Sequence, residues 1–316
     1  MKWISLGISS SVLLAAVLIG KTPEAEAKTR DDLHRTFDVE AGGELIIEAE
    51  DGDIEVKGTE KNRVVVEVLR KARAKNEEAE RGMLENHVVT FYQDGNRVTI
   101  SGERKDRRNF WNLITVGGLE VRYVVSVPRE FDVDLTTSDG NVSVDELEGV
   151  LEVKSSDGDL KLGDVSGGVR AITSDGHIFI DKFVGDLHLR SSDGDIRVGS
   201  VGGDLVAETS DGNIEVKDIK GDLEAKTSDG DIEVTFAESP EGACQLKTSD
   251  GNIRVRLVED ATVELDARTG DGRIYSEFPM SERGEKREGV LRGKINGGGP
   301  ELYLKTSDGD IDLKKL

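Results

Sequence analysis

The stretch "KTSDGDIEV", Lys226 to Val234, decides how this chain folds, because it returns with small edits and nearly closes the protein as "KTSDGDIDL", Lys305 to Leu313. Its turn aspartate falls at Asp139, Asp157, Asp175, Asp193, Asp211 and Asp229, 18 residues apart each time. It recurs at Asp250 and Asp271 after spacings of 21, and at Asp308 after an insertion. Within one unit, "ETSDGNIEVKDIKGDLEA" (Glu208 to Ala225), apolar residues alternate with polar ones in Ile214-Glu215-Val216 and Leu223-Glu224-Ala225. That period of two marks strands with one buried face. The halves "GNIEV" and "GDLEA" echo each other, so each unit reads as two short strands joined by two glycine turns.

A hairpin meander would also alternate strands with Asp-Gly turns, but it would not hold the unit length fixed. Fixed units stack equivalent residues one coil above another, at the ~4.8 Å interstrand spacing. The expected fold is therefore all-β, a single-stranded parallel β-solenoid (β-helix) of 18-residue coils with aliphatic columns inside. Extra residues bulge outward at "AESPEGA", and the pattern resumes at Cys244-Gln245-Leu246, which puts Cys244 in a core column. The charged, glycine-rich segment from Met280 to Pro300 reads as a surface loop or irregular coil before Leu302-Tyr303-Leu304 restores the repeat.

Residues 136–316 form the regular repeat. Residues 28–135 read as less regular coils of the same domain, carrying "EDGDIEVKG" (Glu50 to Gly58) and the looser "QDGNRVTI" (Gln93 to Ile100). One short helix is expected over about 75–87, near the N-terminal end, packed over the first coils so as to block their open edge. Residues 1–27 read as an export signal: a basic start at Lys2, the apolar run "ISLGISSSVLLAAVLIG" and the small-residue ending Ala25-Glu26-Ala27. The run is short for a spanning helix, which needs about 20 residues. The chain that remains is expected to be exported, to the periplasm, the cell surface or the medium, with no transmembrane span.

The net charge of -22 argues against nucleic-acid binding, which relies on Lys and Arg neutralising phosphates. Cys244 is the sole cysteine, so no internal disulfide is available and stability has to come from a long core.

Several segments together resemble the DUF4097 family of bacterial proteins, provisionally named adhesins, and more loosely the autotransporter-adhesin-head-like proteins. They are the entry strand "TFDVEAGGELIIEAEDGDIEVKG", the phrase "VRYVVSVPREFDVDLTTSDGNVSV", the serial "TSDGDI" coils and the ending "LYLKTSDGDIDL". The resemblance spans nearly all of the chain after residue 27. It implies an exported β-solenoid associated with the cell envelope, and it brings no catalytic residues with it.

The turn aspartates Asp139, Asp157, Asp175, Asp193, Asp211, Asp229 and Asp250 are the candidate cation ladder, since stacked carboxylates repel by about 1 kcal/mol per neighbour even in water. Against it, calcium wants six to eight converging oxygens. The residue after each turn glycine also varies among Asn, Asp, His177 and Arg273. The structural reading is that glycine supplies positive φ while Asp and Ser bond the turn's own backbone. Thr137, Thr173, Thr209, Thr227, Thr248 and Thr306, with Ser155 and Ser191, would then form a hydroxyl ladder for backbone groups that leave the sheet register. The histidines His34, His87, His177 and His188 share no ligand spacing and read as solvated surface residues.

No position breaks the repeat as a catalytic cleft would, and paired carboxylates occur everywhere, so none is singled out. Cys244 in an apolar column predicts an inert thiol. Phe110 and Trp111, beside Arg107 and Arg108, are either a partner-contact patch or a plug for the core's end. The expectation is a non-enzymatic envelope protein without cofactor, an adhesin or binding scaffold for an unidentified envelope or extracellular protein or glycan. The alternatives are a calcium-responsive structural protein and a β-helical carbohydrate-active enzyme.

Overall fold

A computed structural model describes residues 29–105, 118–280 and 285–316; the proposed export signal and the Phe110-Trp111 pair lie outside them. Each regular coil passes through two parallel stacks, as two short strands or, in Leu160–Ile172 and Ile178–Arg190, as one strand running through both. In the first stack, Ile54, Val142, Leu160, Ile178, Ile196, Ile214, Ile232 and Ile253 are register partners from coil to coil. In the second, Leu45, Val133, Leu151, Val169, Leu187, Leu205, Leu223 and Cys244 line up likewise. All of these side chains are buried, so the interior is a set of aliphatic columns and each strand alternates inward apolar with outward polar residues. The fold is the expected parallel solenoid through the regular coils.

At both ends the coils do not stack in chain order. The strand Glu301–Lys305 pairs with Cys244–Lys247 on one side and Val263–Arg268 on the other. Its companion Ile311–Lys315 lies between Ile253–Leu257 and Ile274–Ser276. The chain therefore skips one level after Leu257, lays down the outer coil, and returns to fill the vacant level with its last residues. The segment expected to be a surface loop or irregular coil before the repeat resumes at Leu302 belongs to the return path. It includes an antiparallel pair, Glu285–Arg287 with Val290–Ile295, the latter added to the outer coil. The Asn296 side chain fixes the skipped connection by donating to the carbonyls of Glu259 (3.0 Å) and Ala261 (2.9 Å).

The other end repeats the device. The coil of Gly43–Ala49 and Asp53–Thr59 is sandwiched between the coil of Phe131–Thr136 and Val142–Asp145 and that of Arg97–Arg104 and Gly118–Pro128. Antiparallel strands His87–Asp94, Arg63–Arg73 and Thr29–Asp38 then continue the stacks. Reversing the strand direction ends the parallel register, and the outermost Thr29–Asp38 is dense in charge, which discourages pairing with another chain.

The helix, Glu77–Asn86, is capped by the Asn76 side chain accepting from the Ala79 N–H at 2.9 Å. It packs Met83 and Leu84 against Ala72 beside the antiparallel strands. Its fully buried Glu80 accepts from the backbone N–H and the hydroxyl of Thr29, at 3.1 and 2.6 Å. The edge-blocking role expected of the helix thus falls largely to antiparallel strands, which the helix buttresses.

Candidate functional site

The TSDG corner is where sequence first suggests a ligand, and there the recurrent polar atoms are committed to the stack. Thr209 Oγ1 donates toward the carbonyls of Ser192 and Gly194 on the preceding coil, at 3.0 and 3.1 Å, and accepts the Gly212 N–H at 3.3 Å. Thr173, Ser191, Thr227, Thr248 and Thr306 repeat this arrangement. The hydroxyl ladder is therefore structural: it satisfies backbone groups that would otherwise be buried without partners.

The turn glycines serve a different purpose from the one expected. None of Gly140, Gly158, Gly176, Gly194, Gly212, Gly230 or Gly251 has positive φ. A β-carbon on any of them would instead lie 1.8–2.1 Å from the carbonyl oxygen of the stacked glycine on the neighbouring coil. Close approach of backbone to backbone, rather than a left-handed turn, requires glycine here.

The residue after each turn glycine forms a second ladder. Its side chain accepts the N–H of the equivalent residue on the next coil, in the order Asp53, Asn141, Asp159, His177, Asp195, Asn213, Asp231, Asn252, Asp310, Arg273, at 2.7–3.0 Å. His177 fits because its Nδ1 accepts as a carboxylate oxygen does. Arg273 has no acceptor to offer, and it stands in the outermost coil, where no equivalent residue follows. The variability at this position is bounded by the requirement for an acceptor, waived at the last level.

The candidate ladder residues Asp139, Asp157, Asp175, Asp193, Asp211, Asp229 and Asp250 are brought into one exposed line along a solenoid edge. Among the described residues, no group of three or more His, Cys, Asp or Glu side chains converges as a metal ion would require. The line is a continuous acidic edge. Phe110 and Trp111 lie outside the described residues.

Of the histidines, His87 departs from the solvated reading. It is 2% exposed beneath the N-terminal strands, its Nε2 3.4 Å from the Tyr123 hydroxyl. Burial, helped by the nearby Arg70 and Arg104 guanidinium groups, lowers its pKa to about 4. Arg70, also buried, pairs with Asp31 and donates to the carbonyl of His87 at 2.8 Å. Cys244 is buried between Leu223 and Leu302, and burial raises its thiol pKa, which keeps it protonated.

The second stack also carries a hollow that runs across four successive levels. Around the second corner of the middle coils, Val150, Gly168, Arg170, Asp186, His188 and Val206 line an open hollow of about 540 Å³. It is shallow and holds no buried carboxylate.

A family model matches residues 43–314, covering the regular coils and most of both unusual ends, though not the outermost strand Thr29–Asp38. The chain belongs to the Toastrack family, DUF4097. Toastrack coils here carry their polar repeat as internal scaffolding. Among solved structures, a putative adhesin from Bacteroides fragilis is 12% identical, with 90% of this chain and 97% of that chain covered and a TM-score of 0.37. A putative lipid binding protein from Parabacteroides distasonis is also 12% identical, with 90% and 97% covered and a TM-score of 0.32. A putative cell adhesion protein from Clostridium sporogenes is 8% identical, with 91% and 100% covered and a TM-score of 0.25. No curated protein matches the chain. Among the described residues, no helix is long and apolar enough to cross a membrane.

Proposed function

We propose that this Toastrack protein is an exported, non-enzymatic binding scaffold of the cell envelope, an adhesin-like rod whose outward strand positions contact a protein or glycan. The observation that carries this reading is the division of labour in each coil. Recurrent Thr, Gly and Asn/Asp positions are consumed by coil-to-coil bonds, whereas the outward column Lys161, Phe179, Arg197, Glu215, Glu233, Arg254 changes chemistry at every level or two. A rigid support with a varied surface favours recognition. The shallow hollow, with no group set in hydrogen-bonding reach of an enclosed substrate, disfavours turnover.

The export signal read in residues 1–27 supplies the compartment. Fractionation of the native cell, combined with proximity labelling by the tagged full-length chain, tests the proposal. Recovery outside the cytoplasm with envelope neighbours is expected. Cytoplasmic retention with an intact leader contradicts the location, and release of product from a glycan array contradicts the non-enzymatic reading.

A further inference from the structure

The out-of-order C-terminal coil creates a charge arrangement that the linear sequence disperses. On the outer face of the second stack, Lys226, Lys247, Lys305 and Arg268 are register partners on four successive levels. Lys305 enters this column only because its strand fills the vacant level. The levels are ~4.8 Å apart. Among the described residues, no other outward strand column stacks four like charges. Like charges directly opposite one another on neighbouring strands are destabilising, and the rest of this chain is strongly acidic.

The adjoining column holds Glu224, Gln245, Tyr303, Asp266 and Arg292 at the corresponding levels. Asp266 is engaged by Arg268 at 2.6 Å and Arg292 at 3.0 Å, which offsets part of the positive charge. Lys226 and Lys305 are exposed and form no ion pair among the described residues. The Tyr303 ring has the Lys247 ammonium 5.7 Å and the Arg268 guanidinium 5.3 Å from its centroid, so an aromatic holds two of the four cations in place. Lys247 Nζ is further held by Gln245 Oε1 at 2.9 Å. Cations fixed before binding lose less side-chain freedom when an anion arrives.

We infer that the Lys226–Lys247–Lys305–Arg268 stripe is a binding site for a linear anionic polysaccharide, laid along the solenoid axis across successive coils. A straight row of cations at strand spacing suits a polymer of repeating carboxylates better than a single small anion. The acidic turn edge keeps the polymer to this face. The choice of a polysaccharide among linear polyanions rests on the envelope reading above.

The test is calorimetric titration of the full chain at low salt with an oligogalacturonate, a neutral dextran oligomer of matched length and a short DNA duplex. Three proteins are compared: wild type, Lys226→Glu with Lys305→Glu, and the charge-matched control Lys154→Glu with Arg190→Glu, in the same column but four and two levels before Lys226. Oligogalacturonate is expected to bind wild type and control, to bind the stripe variant about tenfold or more weakly, and to lose affinity as salt rises; dextran should not bind. An equal loss in the control, or no binding of oligogalacturonate and DNA alike, overturns the stripe and leaves the scaffold reading to fractionation. DNA binding as tight as that of oligogalacturonate overturns the polysaccharide assignment and counts against the envelope reading as well.

Discussion

At Gly212 the nearest atom to an added β-carbon is the Gly194 carbonyl oxygen, 2.1 Å away, whereas at Gly168 nothing lies within 4 Å. Gly212→Ala should therefore cost about 3 kcal/mol through overpacking, and Gly168→Ala should stay within about 0.5 kcal/mol of wild type. Thermal unfolding of the two variants checks the contrast. The acceptor ladder gives a second one. His177→Asn keeps an acceptor and should be neutral, while His177→Leu orphans the Asp195 N–H and should cost about 1–3 kcal/mol. Arg273→Leu, at the final level, should cost almost nothing. Both ladders lie in the repeated letters, but their roles were only partly legible there: glycine and His177 have several physical uses, and only the stacking of the coils shows which one operates. His87 was missed because its burial comes from strands distant in sequence.

His87 also has a pH consequence. Its folded pKa, about 4, lies below the ordinary 6.5, so the unfolded chain binds the proton more readily. Its contribution is fully present above pH 6.5 and is lost as pH falls from there toward 4, on the order of 3 kcal/mol in total. The stability difference between wild type and His87→Leu should shift across that window and flatten above it. A difference independent of pH between 4 and 7 would contradict the buried neutral imidazole.

At the scale of elements, the C-terminal coil is paired on both sides although it ends the chain. Chain ends ordinarily fray. Here the amides of Glu301–Lys305 and Ile311–Lys315 should exchange with deuterium as slowly as those of Cys244–Lys247, while Ile274–Ser276, on the outer level, should exchange faster. The 18-residue register and the aliphatic columns were readable because period-two alternation and turn spacing are local properties. The order of coils at the ends was not, since near-identical units such as "KTSDGDIEV" and "KTSDGDIDL" offer almost equal pairing to several neighbours. Arg273 was the one local clue, because a residue without an acceptor belongs at the end of the ladder.

For the whole molecule, the stack separates charge into an acidic line of turn aspartates along one edge and a basic stripe near the C-terminal end of one face. The aspartates do not converge, so millimolar calcium followed by chelator should leave the unfolding midpoint unchanged; a calcium-dependent rise would restore the cation ladder. The basic stripe and the acceptor order both depend on the last coil filling a skipped level. Paired cysteines in a Cys244→Ala background test that order directly. Lys247→Cys with Lys305→Cys places the two on adjacent levels, ~4.8 Å apart, and should form a disulfide on mild oxidation. Lys247→Cys with Arg268→Cys spans two levels, roughly 10 Å, and should remain reduced. Bridging of the second pair and not the first would mean that the coils stack in simple chain order, and would contradict this architecture.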